Sequence, residues 1–234
     1  MKTVSAIIPC YNEGEYVINL VKTLKDSNIF KEIILVDDKS KPEFAKIYDQ
    51  IKNITVIHKD INEGKDFALK TGIERTTSDY IAIFDADLKG VTVNHLQRIK
   101  EYINNELDII YLIRGNDIKI AKILGNTYIT VGEHIIKRDI VNEYADILFS
   151  KEEWSFDNEI NNISYKTNKY KVKFLELQNV NHVMKSKKYS FIKGLLLDLK
   201  MIYKVLIVKY KIIGYITTYI NAYRYIKNRD IIPD

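Results

Sequence analysis

The sequence predicts an α/β fold with a mixed, mostly parallel sheet flanked by helices. Between Val4 and about Ile113, short β-branched runs alternate with segments of helix length. Such alternation is typical of a sheet whose parallel strands are joined by helices. The 234 residues are enough for one substantial core and too few for two full domains. We therefore expect one α/β domain with an appended segment.

Five apolar runs are the predicted strands of the first half of the chain. They read VSAII, EIILV, NITVI, YIAIF and DIIYLI. Ser40 and Glu43 are spaced as a capping box around Pro42, which predicts a helix running toward Ile51. The next two predicted helices are Asn62 to Arg75 and Thr92 to Asn104.

After Arg114 the alternation breaks down, and we expect residues 115–189 to elaborate the same sheet. The elements predicted there are a helix near Lys137 to Leu148, a helix from Ser155 to Tyr165 and a strand from Lys171 to Leu177. From Ser190 to Lys227 the pattern is strongly helical. Residues 190–234 are therefore predicted to form a C-terminal amphipathic helical extension.

The composition indicates the cellular compartment of the protein. The single cysteine, Cys10, cannot form an internal disulfide, and the apolar run at Val4 follows Met1 too closely to be a signal peptide. Lysines recur through the C-terminal apolar region, which argues against a transmembrane helix. We therefore expect a cytoplasmic protein.

Four polar loops follow the first four predicted strands. They read PCYNEGE, DDKS, HKDINEGK and DADLKG. In open α/β sheets ligands bind beyond the carboxyl ends of the strands, so these loops should share one edge. The sequence therefore predicts a binding site at that edge.

Two aspartates end the fourth predicted strand. Asp85 and Asp87 are two residues apart, and alternate side chains of an extended chain point to the same side. Buried carboxylates need a positive partner, and a hard divalent cation is the usual one for such oxygens. An isolated pair of this kind would more often be a helix cap and a solvated turn, but the three other loops favour a site.

At this point the pattern resembles the family 2 inverting glycosyltransferases, which have the Rossmann-like GT-A fold and use nucleotide-sugar donors. The matching pieces are IIPCYNEGEYV, IILVDDKS, NEGKDFAL and DYIAIFDADL, within about the first ninety residues. Together they are specific, whereas each alone is weak. The QxxRW signature of processive synthases is absent. The resemblance therefore implies transfer of one sugar per acceptor.

The resemblance implies where the nucleotide-sugar donor binds. Glu13 and the loop from Pro9 to Tyr11 would line the base and ribose, Asp38 would accept from a pyrimidine imide, and Lys65 would meet the base or diphosphate. Gly64 would permit close backbone approach. The implied donor-binding residues are Pro9, Tyr11, Glu13, Asp38, Gly64, Lys65, Asp85 and Ala86, with Lys185 and Lys187 as clamps over the diphosphate.

The resemblance also implies a bound Mn²⁺ or Mg²⁺. Asp87 and His182 would be its ligands, with Asp85 nearer the ribose or the metal. The cation would stabilise the charge that develops on the leaving nucleoside diphosphate. A lone histidine in a loop is more often structural, so the assignment of His182 depends on the two aspartates.

Inversion needs a base for the acceptor hydroxyl, unless the acceptor is itself a phosphate anion. In WSFDNEI, Asp157 and Glu159 are both candidates, and both could instead be a first-turn acidic pair favoured by the helix dipole. The same resemblance implies that Trp154 would face the acceptor. GEHIIKRD resembles a GER-like segment of these glycosyltransferases, which implies that Glu133 and His134 would contact the sugar or acceptor, although His134 stands where arginine is commoner in them.

The C-terminal extension is strongly basic. From Lys185 onward there are 11 lysines and arginines against 3 acids, whereas the whole chain carries only +5. On a helix, Lys193, Lys200, Lys204 and Lys211 form one stripe beside leucines, isoleucines and tyrosines, as in an interfacial helix. The same helices could instead pack on the catalytic domain or form a homodimer, and the residues leave these alternatives open.

Three functional hypotheses follow. The first is a metal-dependent inverting hexosyltransferase that uses a UDP-sugar, or a GDP-sugar, and a lipid-linked acceptor at the inner face of the cell membrane. The second keeps the reaction but has a soluble acceptor such as phosphoglycerate. The third is a non-catalytic nucleotide-sugar-binding protein. Nucleic acid is not an expected partner, since no recognisable module is present. Residues 1–189 would be the catalytic domain, with 1–114 binding the nucleotide and 115–189 the acceptor.

Overall fold

The computed structural model of the chain describes residues 2–104, 107–114, 132–150, 155–166 and 169–182, together with Leu196 and the pair 231–232. Trp154, Lys185 and Lys187 lie outside the described residues. Nearly all of the predicted extension, 190–234, lies outside them as well.

An eight-stranded sheet runs through the described residues, in the order β10-β8-β6-β7-β4-β1-β2-β3. Neighbouring strands are parallel except where β7 pairs antiparallel with β4 and β6. The strands of this sheet are β1 (Val4–Cys10), β2 (Glu32–Asp37), β3 (Thr55–His58), β4 (Tyr80–Ile83), β6 (Ile109–Arg114), β7 (His134–Lys137), β8 (Val172–Leu177) and β10 (Ile231–Ile232), and a separate pair is formed by β5 (Leu88–Lys89) and β9 (Asn181–His182). The prediction of a mixed, mostly parallel sheet is confirmed. Because β10 pairs with β8, the far end of the predicted extension returns to this sheet.

Helices cover both faces of the sheet. They are α1 (Glu15–Asp26), α2 (Pro42–Asp49), α3 (Lys65–Glu74), α4 (Val93–Asn104), α5 (Arg138–Glu143), α6 (Ala145–Leu148) and α7 (Ser155–Lys166). Leu20 and Leu24 of α1 pack with Leu96 of α4 on one face. Leu69 of α3 packs with Phe156 of α7 on the other. The apolar strands are thus buried on both sides, as expected for parallel sheets.

Two predicted helices differ from the structure. The helix expected from Asn62 begins at Lys65, because Gly64 has φ 94°, which is outside the helical region. The helix expected near Lys137 to Leu148 is two short helices, α5 and α6. Strand β7, which was not predicted, directly precedes the first of these two helices.

The capping box predicted at Ser40 and Glu43 is wrong. The residue that precedes α2 is Lys41, and no side chain caps this helix. The Ser40 hydroxyl instead accepts a hydrogen bond from the backbone N–H of Asn12, at 2.8 Å. A contact between two loops therefore replaces the local cap.

A two-stranded ribbon carries His182 to the aspartates. In β5 and β9, Leu88 lies opposite His182 in an antiparallel pair. Gly90, with φ 85°, follows β5, and a Cβ there would lie 2.4 Å from the carbonyl oxygen of Asn179. Only glycine fits this approach, so Gly90 helps to bring the two ends together.

Helix α7 is capped by a side chain from α3. The backbone N–H of Ser155 donates to Asp66 Oδ2 at 2.7 Å, and the Ser155 hydroxyl lies 3.0 Å from the same oxygen. Asp66 is only 5% exposed, and burial raises its pKa. The carboxylate satisfies an N–H that the helix itself leaves without a partner.

We predict that Asp66→Ala lowers the free energy of unfolding by about 1–3 kcal/mol, because a buried donor loses its acceptor. Chemical denaturation measures the loss. Asp26→Ala, at the exposed end of α1, is the control and should change stability by no more than about 0.5 kcal/mol. Wild-type stability of Asp66→Ala would contradict the capping role.

Candidate active site

The loops after β1 and β2 are bonded to each other. The Asn12 N–H donates to Ser40 Oγ, and the Lys41 N–H donates to Asn12 Oδ1, both at 2.8 Å. Asn12 has φ 56°, a conformation that asparagine tolerates better than most residues. The two loops therefore form one preformed surface at the carboxyl edge of the sheet.

The predicted donor-binding residues of the first loop differ in accessibility. Tyr11 is 49% exposed, and Glu13 is partly exposed. Pro9 is buried within β1, where it pairs with Val36 of β2. Tyr11 and Glu13 can meet a ligand directly, whereas Pro9 supports the loop from beneath.

Asp38 organises the loop that leads into α3. Its Oδ2 accepts from the Gly64 N–H at 2.7 Å, and its Oδ1 accepts from the Glu63 N–H at 3.1 Å. Lys59 Nζ lies 3.2 Å from Oδ1, and Asp38 is only 3% exposed. In this structure its carboxylate is engaged by the protein rather than open to a base.

Lys65 lies between two carboxylates. Its Nζ is 2.8 Å from Asp85 Oδ1 and 2.9 Å from Asp157 Oδ2, and its side chain is 17% exposed. Burial alone would lower the lysine pKa, but the charges of Asp157 and Asp85 outweigh it and raise the pKa. A cation at the start of a helix is unfavourable because it opposes the helix dipole. Here the two aspartate side chains compensate the charge of Lys65.

Gly132 makes room for this cluster. A Cβ at this position would lie 3.2 Å from both Lys65 Nζ and Asp85 Oδ2, and 3.7 Å from Asp157 Oδ2. A larger residue would therefore displace the charged groups. Sequence reasoning missed Gly132 although it begins the quoted GEHIIKRD segment.

The two candidate bases are in different surroundings. Asp157 is 7% exposed, and burial raises its pKa to about 6, an effect that Lys65 opposes. Glu159 Oε2 accepts instead from Asn162 Nδ2, one turn along the same helix, at 3.2 Å. Asp157 belongs to the charged cluster, whereas Glu159 is bonded within α7.

Asp85, Glu133 and His182 form a group that could hold a metal ion, with one ligand atom from each within 4.8 Å of the others. His182 Nε2 is 2.8 Å from Glu133 Oε1 and 3.7 Å from Asp85 Oδ2. The other ring nitrogen, Nδ1, is 2.8 Å from Asp87 Oδ1. Ala86, between the aspartates, is buried in the core.

Glu133 is 1% exposed, and burial raises its pKa to about 8. Arg114, which sequence reasoning missed, opposes this rise with an N–H nitrogen 3.6 Å from Glu133 Oε1. Asp85 strengthens it by repulsion. Glu133 therefore lies with the possible metal ligands, and its contact with sugar or acceptor stays a prediction.

His134 does not reach the surface. It is 0% exposed, with its ring 5.1 Å from that of Tyr111 and 6.4 Å from that of Phe156. Burial lowers its pKa to about 3, so the imidazole is neutral. The ring lies behind Asp157, with Nδ1 3.8 Å from Asp157 Oδ1, and its contact with sugar or acceptor stays a prediction.

This chain matches only part of the length of two curated relatives. An undecaprenyl-phosphate 4-deoxy-4-formamido-L-arabinose transferase from Pectobacterium atrosepticum is 33% identical over 125 residues, 50% of this chain and 38% of that protein. The glycosyltransferase GlyG from Streptococcus pneumoniae is 28% identical over 167 residues, 66% of this chain and 52% of that protein. The chain thus spans about two fifths to one half of these relatives.

Solved structures share the fold. Glucosyl-3-phosphoglycerate synthase from Mycobacterium tuberculosis, in complex with Mn²⁺, UDP and glucosyl-3-phosphoglycerate, aligns with a TM-score of 0.63 at 13% identity, over 88% of this chain and 79% of that one. A mannosyltransferase from Pyrobaculum calidifontis, in complex with GDP-mannose and Mn²⁺, aligns with a TM-score of 0.60 at 15% identity, over 73% of this chain and 54% of that one.

The family model for glycosyl transferase family 2 matches residues 5–145, more than half of the chain. This range contains the four loops, the paired aspartates and Glu133. It agrees with the resemblance that the loop motifs carry and with the GT-A architecture of the sheet. The chain therefore belongs to glycosyl transferase family 2 and has the GT-A fold.

Proposed function

We propose that this chain is a metal-dependent inverting glycosyltransferase that moves one sugar from a nucleotide-sugar, UDP-linked rather than GDP-linked, to a lipid-linked acceptor. The observation that carries the proposal is the convergence of Lys65, Asp85, Asp87, Asp157 and His182 at the edge where the β1 and β2 loops meet. Asp157 is buried beside Lys65, and a non-catalytic binding protein would not need a candidate base there.

The residues present fit a divalent cation. Carboxylate oxygens of Asp85 and Glu133 converge with an imidazole nitrogen of His182. Burial is the main cause of the raised pKa of Glu133, and the charge of Asp85 adds to it, so a cation at this point would relieve the repulsion between the two carboxylates. We propose Asp87 and His182 as its ligands, with Asp85 as a possible third. Glu133, which lies 2.8 Å from His182 Nε2, would either join them or orient the ring. The imidazole nitrogen favours Mn²⁺ over Mg²⁺. When bound, the cation supplies charge stabilisation to the departing nucleoside diphosphate.

The protein's own groups would act on the donor and acceptor. Lys65 supplies a fixed positive charge beside the paired aspartates, where a diphosphate would bind. Asp157, with a pKa of about 6, is largely ionised at neutral pH and can take the proton of an acceptor hydroxyl. A phosphate acceptor would not need this base, since it is already an anion.

The lipid-linked acceptor is supported by the 33% identity to a transferase named for undecaprenyl phosphate. The basic extension 190–234 would hold the chain against an anionic membrane at the cytoplasmic face. Within the described part of the chain, none of the helices combines the length and the apolarity that a membrane span requires. The soluble-acceptor alternative is favoured by the fold of the phosphoglycerate enzyme, at much lower identity.

The proposal predicts that UDP-sugars raise the melting temperature only when Mn²⁺ is present, since a ligand at 100 times its Kd adds about 2.7 kcal/mol of stability. GDP- and dTDP-sugars are compared in the same thermal-shift assay.

The acceptor is tested by measuring sugar transfer to undecaprenyl phosphate in anionic vesicles and to 3-phosphoglycerate. We expect the protein to co-sediment with those vesicles and to transfer sugar to undecaprenyl phosphate but not to 3-phosphoglycerate. Nucleotide binding without transfer to either would favour the non-catalytic alternative.

The metal assignment predicts that Asp87→Asn and His182→Gln each weaken Mn²⁺ binding at least about tenfold, because each removes a ligand. Isothermal titration with Mn²⁺ alone measures this without depending on activity. Asp139→Asn, an exposed acid in the first turn of α5, is the matched control and should bind as the wild type does. Unchanged Mn²⁺ affinity in both site variants would remove these ligands from the proposal.

The base assignment predicts that Asp157→Asn lowers kcat for a hydroxyl acceptor at least about 100-fold. Glu159→Gln should change it less than about threefold, because Glu159 is bonded to Asn162 within its own helix. Single-turnover rates at saturating donor make the comparison. A smaller loss for a phosphate acceptor is expected, since that acceptor brings its own negative charge. A larger loss of kcat in Glu159→Gln than in Asp157→Asn would contradict this assignment and make Glu159 the base.

A further inference from the structure

Tyr48 joins helix α2 to the loop between β1 and α1. It lies in the last turn of α2 and is 0% exposed, and its hydroxyl is bonded to the backbone of Glu13 on both sides. The Glu13 N–H donates to the Tyr48 oxygen at 2.9 Å, and the Tyr48 hydroxyl donates to the Glu13 carbonyl at 2.8 Å. One side chain thus holds both backbone polar groups of Glu13, and with them the two peptide units that meet at this residue.

The surroundings of this hydroxyl keep it in that role. Burial raises the pKa of Tyr48, so the group stays neutral and can donate and accept at once. The Cys10 thiol is its neighbour, and burial raises that pKa to about 12, so no thiolate competes. Ser40 Oγ lies 3.5 Å away and accepts from Asn12. Consecutive residues, Asn12 and Glu13, are therefore both bonded to the segment 40–48.

This arrangement replaces a cap that α1 lacks. Gly14 precedes the helix, and no side chain caps it. The loop before it contains a residue in the left-handed region, Asn12, which needs support from outside to persist. Without the Tyr48 and Ser40 contacts, the segment 11–14 would have the freedom of an ordinary exposed loop, and only a fraction of molecules would present Tyr11 and Glu13 in this geometry.

We propose that Tyr48 is a positioning residue for the nucleotide of the donor, which holds the loop 11–14 in its binding geometry without touching the ligand. The inference rests on the proposed function, because that function assigns the loop to the nucleotide. Apparent affinity falls in proportion to the fraction of molecules in the competent state, so loss of the hydroxyl should weaken binding. The chemical step, which the proposed function assigns to Asp157 and the paired aspartates, should be unaffected once the donor is bound.

The test compares Tyr48→Phe with Tyr80→Phe. Tyr80 is equally buried, and its hydroxyl donates to the Leu107 carbonyl at 2.8 Å, away from the loop. Each variant keeps the ring and loses the hydroxyl. Binding of UDP and GDP with Mn²⁺ is measured by calorimetry, together with KM, kcat and melting temperature.

We expect Tyr48→Phe to raise the nucleotide Kd and the donor KM about fivefold or more and to leave kcat within about twofold. Tyr80→Phe should lose comparable stability and keep wild-type Kd and KM. Ser40→Ala, which removes the acceptor of the Asn12 N–H, should also raise Kd and serves if Tyr48→Phe does not fold.

Wild-type affinity in Tyr48→Phe, or in Ser40→Ala where the first variant does not fold, would overturn the inference and leave the proposed function standing. An equal loss of affinity in both tyrosine variants would also overturn it, since it would indicate a general effect of stability. Failure of the wild-type protein to bind UDP or GDP would overturn both proposals.

Discussion

The ammonium group of Lys65 connects the elements on which the site depends. It begins α3, binds Asp85 at the end of β4 and binds Asp157 in the first turn of α7. A largely buried charge is stable only when paired, and removing one partner leaves the others uncompensated. The position of α7 relative to the paired aspartates is therefore coupled to the loop before α3. That loop is in turn held by Asp38 through the Glu63 and Gly64 amides.

Adjacent residues of α3 hold α7 in different ways. Lys65 contacts the Asp157 carboxylate, whereas Asp66 accepts from the backbone N–H of Ser155. A charge pair fixes the side chain, and the cap fixes the helix end that carries it. The start of α3, which follows one of the loop motifs, thus sets the position of α7, which carries the candidate base.

Sequence patterns predicted the parts of this fold that depend on local order. The β-branched runs gave the parallel strands, because strands buried on both faces must be continuously apolar. The four loops followed from topology alone, because carboxyl ends of parallel strands share an edge. Contacts between distant segments carry no such pattern. Ser40 fits a capping box but is engaged by Asn12, and β7 is only four residues long, in a part of the chain where the alternation of strands and helices has broken down. Gly132 and Arg114 acquire their roles only when β6 and the residues before β7 meet the aspartates.

His134 shows how burial determines which side chain a position beside the charged cluster can hold. Its position is fully buried, with the imidazole ring between those of Tyr111 and Phe156. A guanidinium there would need a buried counter-charge, whereas a neutral imidazole does not. Positive charge beside Glu133 comes instead from Arg114, at the end of the neighbouring strand β6. The cation is thus supplied from an adjacent strand, and position 134 is free to pack against the aromatic core behind Asp157.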